Sequence, residues 1–220
     1  MLEKPVFAGV FKCSASNTFE RDDVAEKTKR GQMTPFTRDD IQLIRGVLRA
    51  KGELRDLAIL NCGVDTMLRA GDLVRLKVSD VTNHLGQVTE RCRIIQDKTG
   101  EAVHLTLTPA TREAMAALIK DYGKWIDDYL FTADREPHGQ HLSEVSLRKI
   151  VKGWAALCCK DPRRYSGHSL RRTKASFLYR ETGNIEAVRR LLGHASLKHT
   201  IEYLGVSDND ASELALKFAM

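Results

Sequence analysis

The chain has 220 residues, of which 42% are hydrophobic and 6% aromatic, and it carries a formal net charge of +6. This length and apolar content suit one packed domain, with or without a tail, and exclude a wholly disordered chain. The five cysteines are odd in number and form no C-x-x-C pair, which argues against a disulfide framework or a zinc site and fits a reducing, cytoplasmic compartment.

Membrane insertion and secretion are not expected. No apolar run approaches the roughly 20 residues that a membrane span needs, and residues 1–10 lack the apolar core and cleavage site of a signal peptide. The excess of basic residues suits a polyanionic partner, although many basic proteins never bind nucleic acid. We therefore take charge as weak support for DNA binding.

The first 34 residues differ from the rest of the chain. Glu20 to Gly31 is charged and has no apolar period, so residues 1–34 are predicted to be an arm or linker. Helical structure is predicted from Thr37, which forms a capping-box pattern with Asp40. An apolar helical stripe follows, then a second helix over about 54–62 and a short third helix after Arg69.

The middle of the chain changes from helical to β-forming residues. Segments 88–96 and 102–107 are rich in β-formers and predict a hairpin, with Lys98 at or near its turn. Pro109 stands at a favourable first position for the next helix, and another helix is predicted over about 143–159.

The last third predicts three consecutive helices. The first covers about 168–181, the second is capped by Asn184 and ended by Gly193, and the third begins at Ser196. Residues 207–220 could form one more amphipathic helix. The chain is thus predicted to be mainly α with a small antiparallel β-hairpin, and its domain to span residues 35–206.

Two fragments carry candidate chemistry. In the first, HSLRRT, His168 and Arg171 are three residues apart and share a helix face, where arginine can grip phosphate oxygens and histidine can move a proton. A solvated basic helix face is the alternative interpretation of this fragment alone. In the second, LLGHASLKHTIEYL, Gly193 permits a sharp turn, His194 follows it, and Tyr203 lies nine residues later.

Taken together, these fragments resemble the tyrosine recombinase (phage integrase) family, which has an H-x-L-R motif, an L-G-H motif and a tyrosine nine residues after that histidine. Upstream, Arg69 matches the family's first arginine, and Lys98-Thr99-Gly100 matches its hairpin lysine. Two positions depart from the pattern: Asp72 stands where glutamate is usual, and Met67 stands where glycine is usual, which could mean a different turn before Arg69. The resemblance covers about residues 37–204.

The resemblance implies a mechanism that needs neither metal nor cofactor. Arg69 and Arg171 would clamp the non-bridging phosphate oxygens, and His194 would donate a further hydrogen bond. Lys98 would protonate the 5′-oxygen leaving group, and His168 would help to remove and return the proton of Tyr203. Tyr203 would attack and form a 3′-phosphotyrosyl link, which a 5′-hydroxyl later reverses.

The implied partners are double-stranded DNA and further copies of the chain, as a dimer or tetramer on DNA. The candidate DNA contacts lie on two predicted helices and are Arg148, Lys149, Lys152 and Arg172. For Arg148, Lys149 and Lys152, a solvated helix face is an equal alternative. Family members usually carry a separate DNA-clamping domain before the catalytic domain. The chain is therefore either a piece of a longer protein or similar to the small stand-alone recombinases.

Three alternatives stay open at this point. A type IB topoisomerase shares the chemistry but needs no second site. A non-catalytic DNA-binding regulator could be built on the same fold. An unrelated basic helical interaction protein would require the whole constellation to have arisen by chance. The target sequence and the biological task, whether integration, excision, inversion or resolution, do not follow from the sequence.

Overall fold

The structure, a computed structural model, describes residues 32–98, 100–133, 136, 138–205 and 216. Most of the predicted N-terminal arm and nearly all of the predicted C-terminal tail helix lie outside these residues. The elements, in chain order, are α1 (Arg38–Lys51), α2 (Leu54–Thr66), α3 (Ala70–Val74), α4 (Val78–Val81), β1 (Arg91–Ile95), β2 (Ala102–Thr106), α5 (Pro109–Asp121), α6 (Glu144–Leu157), α7 (Gly167–Thr182), α8 (Ile185–Leu192) and α9 (Leu197–Leu204).

Local signals place the helix ends. Thr37 and Asp40 form the reciprocal capping box at the start of α1, and Thr108 caps α5 with Pro109 in its first turn. Asn184 caps α8, and Gly193 ends it in the left-handed conformation at φ 65°. These ends are as predicted because each depends on residues within one turn of the helix.

The hairpin is antiparallel, with Arg91 opposite Thr106 and Ile95 opposite Ala102. Both strands are shorter than predicted, and the turn between them holds Lys98. In contrast, α2 runs four residues past its predicted end, and α4 was not predicted, because a helix of four residues gives little periodic signal. No helix in the described ranges is long and apolar enough to cross a membrane.

The apolar interior has two parts. The larger cluster joins α1, α2, α5, α6 and the hairpin. The smaller one joins the residue after α2 to the last three helices, through Met67, Ala175, Val188, Leu192 and Leu204. Helix α9, which carries Tyr203, is therefore held mainly by the smaller cluster and by polar contacts.

The N-terminal end of α7 packs closely against α3 at Gly167. A Cβ added to Gly167 would lie 2.8 Å from the Cβ of Ala70, closer than packed carbon atoms tolerate. Glycine at position 167 thus lets the residues just after it, His168 and Arg171, approach the loop that carries Arg69.

Candidate active site

Arg171 stands at the centre of the site and is 3% exposed. Its Nη1 donates to the carbonyl of Met67, and its Nη2 donates to the carbonyl of Leu192 at 2.8 Å. Two of its five donors are thus used to fix the plane of the guanidinium. Arg171 thereby joins the end of α2, the end of α8 and its own helix α7.

Met67 explains the departure from the glycine usual at this position. It adopts the left-handed conformation at φ 51°, so the turn before Arg69 is of a kind that glycine favours although a methionine forms it. The methionine side chain is 2% exposed and packs in the smaller apolar cluster. Burial of this side chain offsets the backbone strain of about 1–2 kcal/mol.

This balance can be measured with two variants. Met67→Ala and Met67→Gly remove nearly the same buried side chain, at a cost of about 2–5 kcal/mol, but only glycine relieves the positive φ. We expect Met67→Gly to be more stable than Met67→Ala by about 1 kcal/mol, although less stable than the parent. Urea unfolding at equal protein concentration measures the difference, and an alanine variant as stable as the glycine variant would contradict it.

Arg69 faces the hairpin. Its Nη1 donates to Oε1 of Gln96, a fully buried residue directly after β1. The same amide lies beside Gly193, where an added Cβ would lie 2.9 Å from Val103 and 3.5 Å from Oε1 of Gln96. Gln96 therefore joins the hairpin, the first arginine and the turn before His194.

Lys98 is exposed in the hairpin turn. The residue before it is anchored, because the Asp97 amide donates to Asp72 at 3.0 Å and the Asp97 carboxylate pairs with Arg75 at 3.0 Å. Asp72, which replaces the usual glutamate, thus holds the base of the turn. The positive charge of Lys98 contributes to the lowered pKa of His168.

His168 lies at the exposed rim. Partial desolvation, the charge of Arg171 and the weaker charges of Arg148 and Lys98 lower its pKa, while Glu144 opposes the shift. A neutral imidazole at pH 7 can accept a proton. Arg171 also acts on Tyr203, together with Arg172 and Arg69.

His194 is oriented from both ring nitrogens. Nη2 of Arg171 donates to its Nε2 at 3.3 Å, and its Nδ1 lies 3.1 Å from the hydroxyl of Thr200. A guanidinium has no acceptor, so we assign the proton to Nδ1, which donates to Thr200. Burial, followed by the charge of Arg171, lowers the pKa of His194 to about 4.

This shift predicts an acid sensitivity. Because the folded pKa lies below the unfolded value of about 6.5, the unfolded chain binds more protons between these values, and the free energy of unfolding should fall as the pH drops from 6.5 towards 4. His194 is half-buried, so solvent screening limits the loss to about 1–2 kcal/mol. Urea unfolding of the parent and His194→Gln at several pH values checks this: equal slopes for both would contradict it.

Tyr203 is enclosed by charged and aromatic groups. The edge of His194 meets its ring at a centroid distance of 5.4 Å, and the guanidinium carbons of Arg171 and Arg172 lie 5.9 and 5.3 Å from its ring centroid. Burial raises the pKa of Tyr203 to about 12, and the two arginines act against this rise. Arg171 is close enough to act on the hydroxyl, but no hydrogen bond of good geometry reaches that oxygen from the described residues.

The predicted DNA contacts fall into two groups. Arg148 and Lys149 are exposed on α6 and Lys152 is half-buried there, so all three stay predictions, and Arg148 is near enough to act on His168. Arg172 requires a correction: it is 3% exposed and donates to Gln32 at 3.0 Å. It faces inward because α7 is covered on several sides by α2, α6, α8, α9 and the segment before α1.

Three further residues contribute to the site although the motifs do not include them: Gln96, Thr200 and Gln32. Gln96 directly follows a strand and is two residues before Lys98, and Thr200 is one helical turn before Tyr203. A buried amide or hydroxyl leaves no periodic signal, and its partner is set by the tertiary fold. Only their proximity to the motifs could have drawn attention to them.

The sequence profile of the phage integrase family matches residues 35–210. The chain belongs to this family. Its relatives include the probable integrase/recombinase YoeC of Bacillus subtilis (strain 168), 26% identical over 179 residues that cover 81% of this chain and 92% of that protein. The tyrosine recombinase XerD of Yersinia pestis is 31% identical over 170 residues, which cover 74% of this chain but only 53% of XerD. The family prediction is confirmed.

Solved structures of XerA recombinase and of a lambda integrase dimer bound to a COC′ core site resemble this phage integrase family member. The TM-scores are 0.66 and 0.57, at 19% and 20% identity; the matches cover 86% and 80% of this chain and 66% and 61% of those chains. At such identities the likeness shows the fold, and the predicted mainly helical fold with one hairpin is confirmed. The chain spans about half the length of the XerD relatives that it matches.

Proposed function

We propose that this phage integrase family member is a site-specific DNA recombinase that cuts and rejoins strands through Tyr203. One observation carries the proposal: Arg171 lies close to both His194 and Tyr203, which are distant from it in sequence. Its Nη2 is 3.3 Å from Nε2 of His194, and its guanidinium carbon is 5.9 Å from the centre of the Tyr203 ring. A buried cation, an imidazole and a phenol around one point are the groups that phosphodiester transfer requires.

In this proposal the scissile phosphate binds between Arg69 and Arg171. Gln96 and the two backbone carbonyls orient these guanidinium groups in advance, so little reorganisation accompanies charge development in the transition state. The phosphate replaces His194 as the acceptor of the hydrogen bond from Nη2 of Arg171. The negative charge of the phosphate opposes the effect of the arginines on the pKa of His194. His194 then carries a proton on Nε2 and donates a hydrogen bond from it to a phosphate oxygen.

The proton of Tyr203 passes to His168, which its lowered pKa keeps neutral and able to accept it. Tyr203 attacks the phosphorus and displaces the 5′-oxygen, which takes its proton from Lys98 on the hairpin. The products are a 3′-phosphotyrosyl bond and a free 5′-hydroxyl. Attack by a 5′-hydroxyl on that bond releases Tyr203 and reseals a strand, so no high-energy cofactor is consumed.

DNA binding is proposed to depend mainly on phosphate contacts by the basic side chains around the site, Arg148, Lys149 and Lys152 among them. Lambda integrase has been solved as a dimer on a core site, which supports the proposal that this chain also acts as several copies on DNA. Affinity should accordingly fall steeply as salt is raised.

A plasmid assay tests the proposed function. One supercoiled plasmid carries two copies of the DNA that flanks the protein's own gene, and a matched plasmid carries none. Exchange between the two copies supports site-specific recombination. Relaxation of both plasmids without exchange would instead indicate a topoisomerase, and DNA binding with neither reaction would indicate a non-catalytic DNA-binding protein.

A further inference from the structure

The segment that precedes α1 reaches the helix of the nucleophile. Gln32 lies before the residues that the family profile matches and is half-buried. Its Nε2 donates to the carbonyl of Glu202 at 2.8 Å, and its Oε1 accepts from Nη1 of Arg172 at 3.0 Å. One side chain from outside the matched region therefore bridges α7 and α9.

The carbonyl that Gln32 binds lies in the last turn of α9, directly before Tyr203. The last four carbonyls of a helix have no partner within that helix, so an amide donor from another part of the chain completes this end. Oε1 of Gln32 also lies 3.8 Å from the position of a Cβ on Gly205, which ends α9. Gln32 thus lies against the C-terminal turn that holds the nucleophile.

The other partner of Gln32 faces the nucleophile itself. Arg172 is 3% exposed, and its guanidinium carbon lies 5.3 Å from the centre of the Tyr203 ring. Its charge favours the ionised form of a phenol that burial otherwise keeps neutral. The hydrogen bond from Nη1 of Arg172 to Gln32 helps to hold the planar guanidinium in this orientation beside the ring.

The same segment is also hydrogen-bonded to α7 and to the turn that precedes it. The amide of Phe36 donates to the hydroxyl of Thr173 at 3.0 Å, and the amide of Thr34 donates to the carbonyl of Arg164 at 2.9 Å. Residues 32–36 therefore lie in a defined path along the domain, and Gln32 is presented to α9 by that path.

We propose that Gln32 and Arg172 are positioning residues for Tyr203. Gln32 holds the end of α9 and keeps Arg172 over the ring of the nucleophile, and we call its two hydrogen bonds, to Glu202 and Arg172, the clasp. This inference rests on the proposed function for its catalytic consequence, but not for the clasp itself. It assigns to Arg172 a role at the nucleophile in place of the predicted contact with DNA, and it links the segment before the catalytic domain to the rate of strand cleavage.

The clasp can be tested without DNA by amide hydrogen exchange. Gln32→Leu removes both contacts at similar volume, and Gln42→Leu, at an exposed position on α1, is the matched control. Loss of the contacts should speed exchange in residues 197–205 about tenfold and leave α5 unchanged. Equal exchange in the parent and in Gln32→Leu would overturn the clasp, whether or not the protein cleaves DNA.

The positioning role is tested by the rate of covalent adduct formation on a nicked duplex. Gln32→Leu should lower this rate about tenfold with unchanged DNA affinity. Arg172→Met should also lower it about tenfold, whereas Arg172→Lys, which keeps a positive charge beside the ring of Tyr203, should recover part of the loss. In the double variant the two losses should be less than multiplicative. An Arg172→Lys variant as slow as Arg172→Met, or fully multiplicative losses, would overturn the role of Arg172. Absence of adduct in the parent would count against the proposed function and leave the exchange result to decide the clasp.

Discussion

Tyr203→Phe is expected to abolish the covalent protein–DNA adduct while DNA affinity stays within about twofold of the parent value. Phenylalanine keeps the ring that packs against His194, Arg171 and Arg172 and removes only the attacking oxygen. Because that buried hydroxyl has no hydrogen bond of good geometry from the described residues, the variant should be as stable as the parent, or more stable by about 1 kcal/mol.

The adduct is trapped on labelled nicked duplexes, in which the short cleaved strand diffuses away and prevents resealing. A band that survives detergent and disappears with protease measures the covalent complex on a denaturing gel. Tyr179→Phe is the matched control, since Tyr179 packs against the same small apolar cluster and should form the adduct normally. An adduct with Tyr203→Phe would show that another residue is the nucleophile.

The parts of this molecule that sequence predicts well are those set within a few residues. Thr37 and Asp40 start α1, and Asn184 and Gly193 bound α8, because caps depend on local hydrogen bonds and on the conformational freedom of glycine. The motif spacing likewise places His168 and Arg171 on one turn of α7. Such features need no knowledge of what packs against the helix.

The rest depends on partners distant in the chain. Arg171 is fixed by the carbonyl of Met67, 104 residues away, and Arg69 by Gln96, 27 residues away. The prediction for Arg172 failed for the same reason. Arg171 and Arg172 are consecutive on α7 and point about 100° apart, but other elements pack on the side that Arg171 faces and on the side that Arg172 faces. Its charge alone suggested a contact with DNA, whereas the fold places the side chain against Gln32 and Tyr203.

Arg69→Ala and Arg171→Ala are expected to lose catalysis equally but stability very differently. Each removes a charged donor aimed at the proposed phosphate site, so each should slow adduct formation about 10²–10³-fold. Arg69 is half-buried and bonded to a side chain, so its loss should change the free energy of unfolding by only about 1 kcal/mol. Arg171→Ala leaves two backbone carbonyls, of Met67 and Leu192, without their donor, and should cost about 3 kcal/mol.

Two measurements separate catalysis from folding in these variants. Urea unfolding gives the stability of each, and single-turnover cleavage below the unfolding transition gives the rate. A duplex with an uncharged methylphosphonate at the scissile position lacks the charge that the arginines neutralise, so the rate deficit of both variants should shrink on it because that contribution to catalysis is no longer needed. A deficit of unchanged size on this substrate would mean that the arginines act through the fold and not on the phosphate.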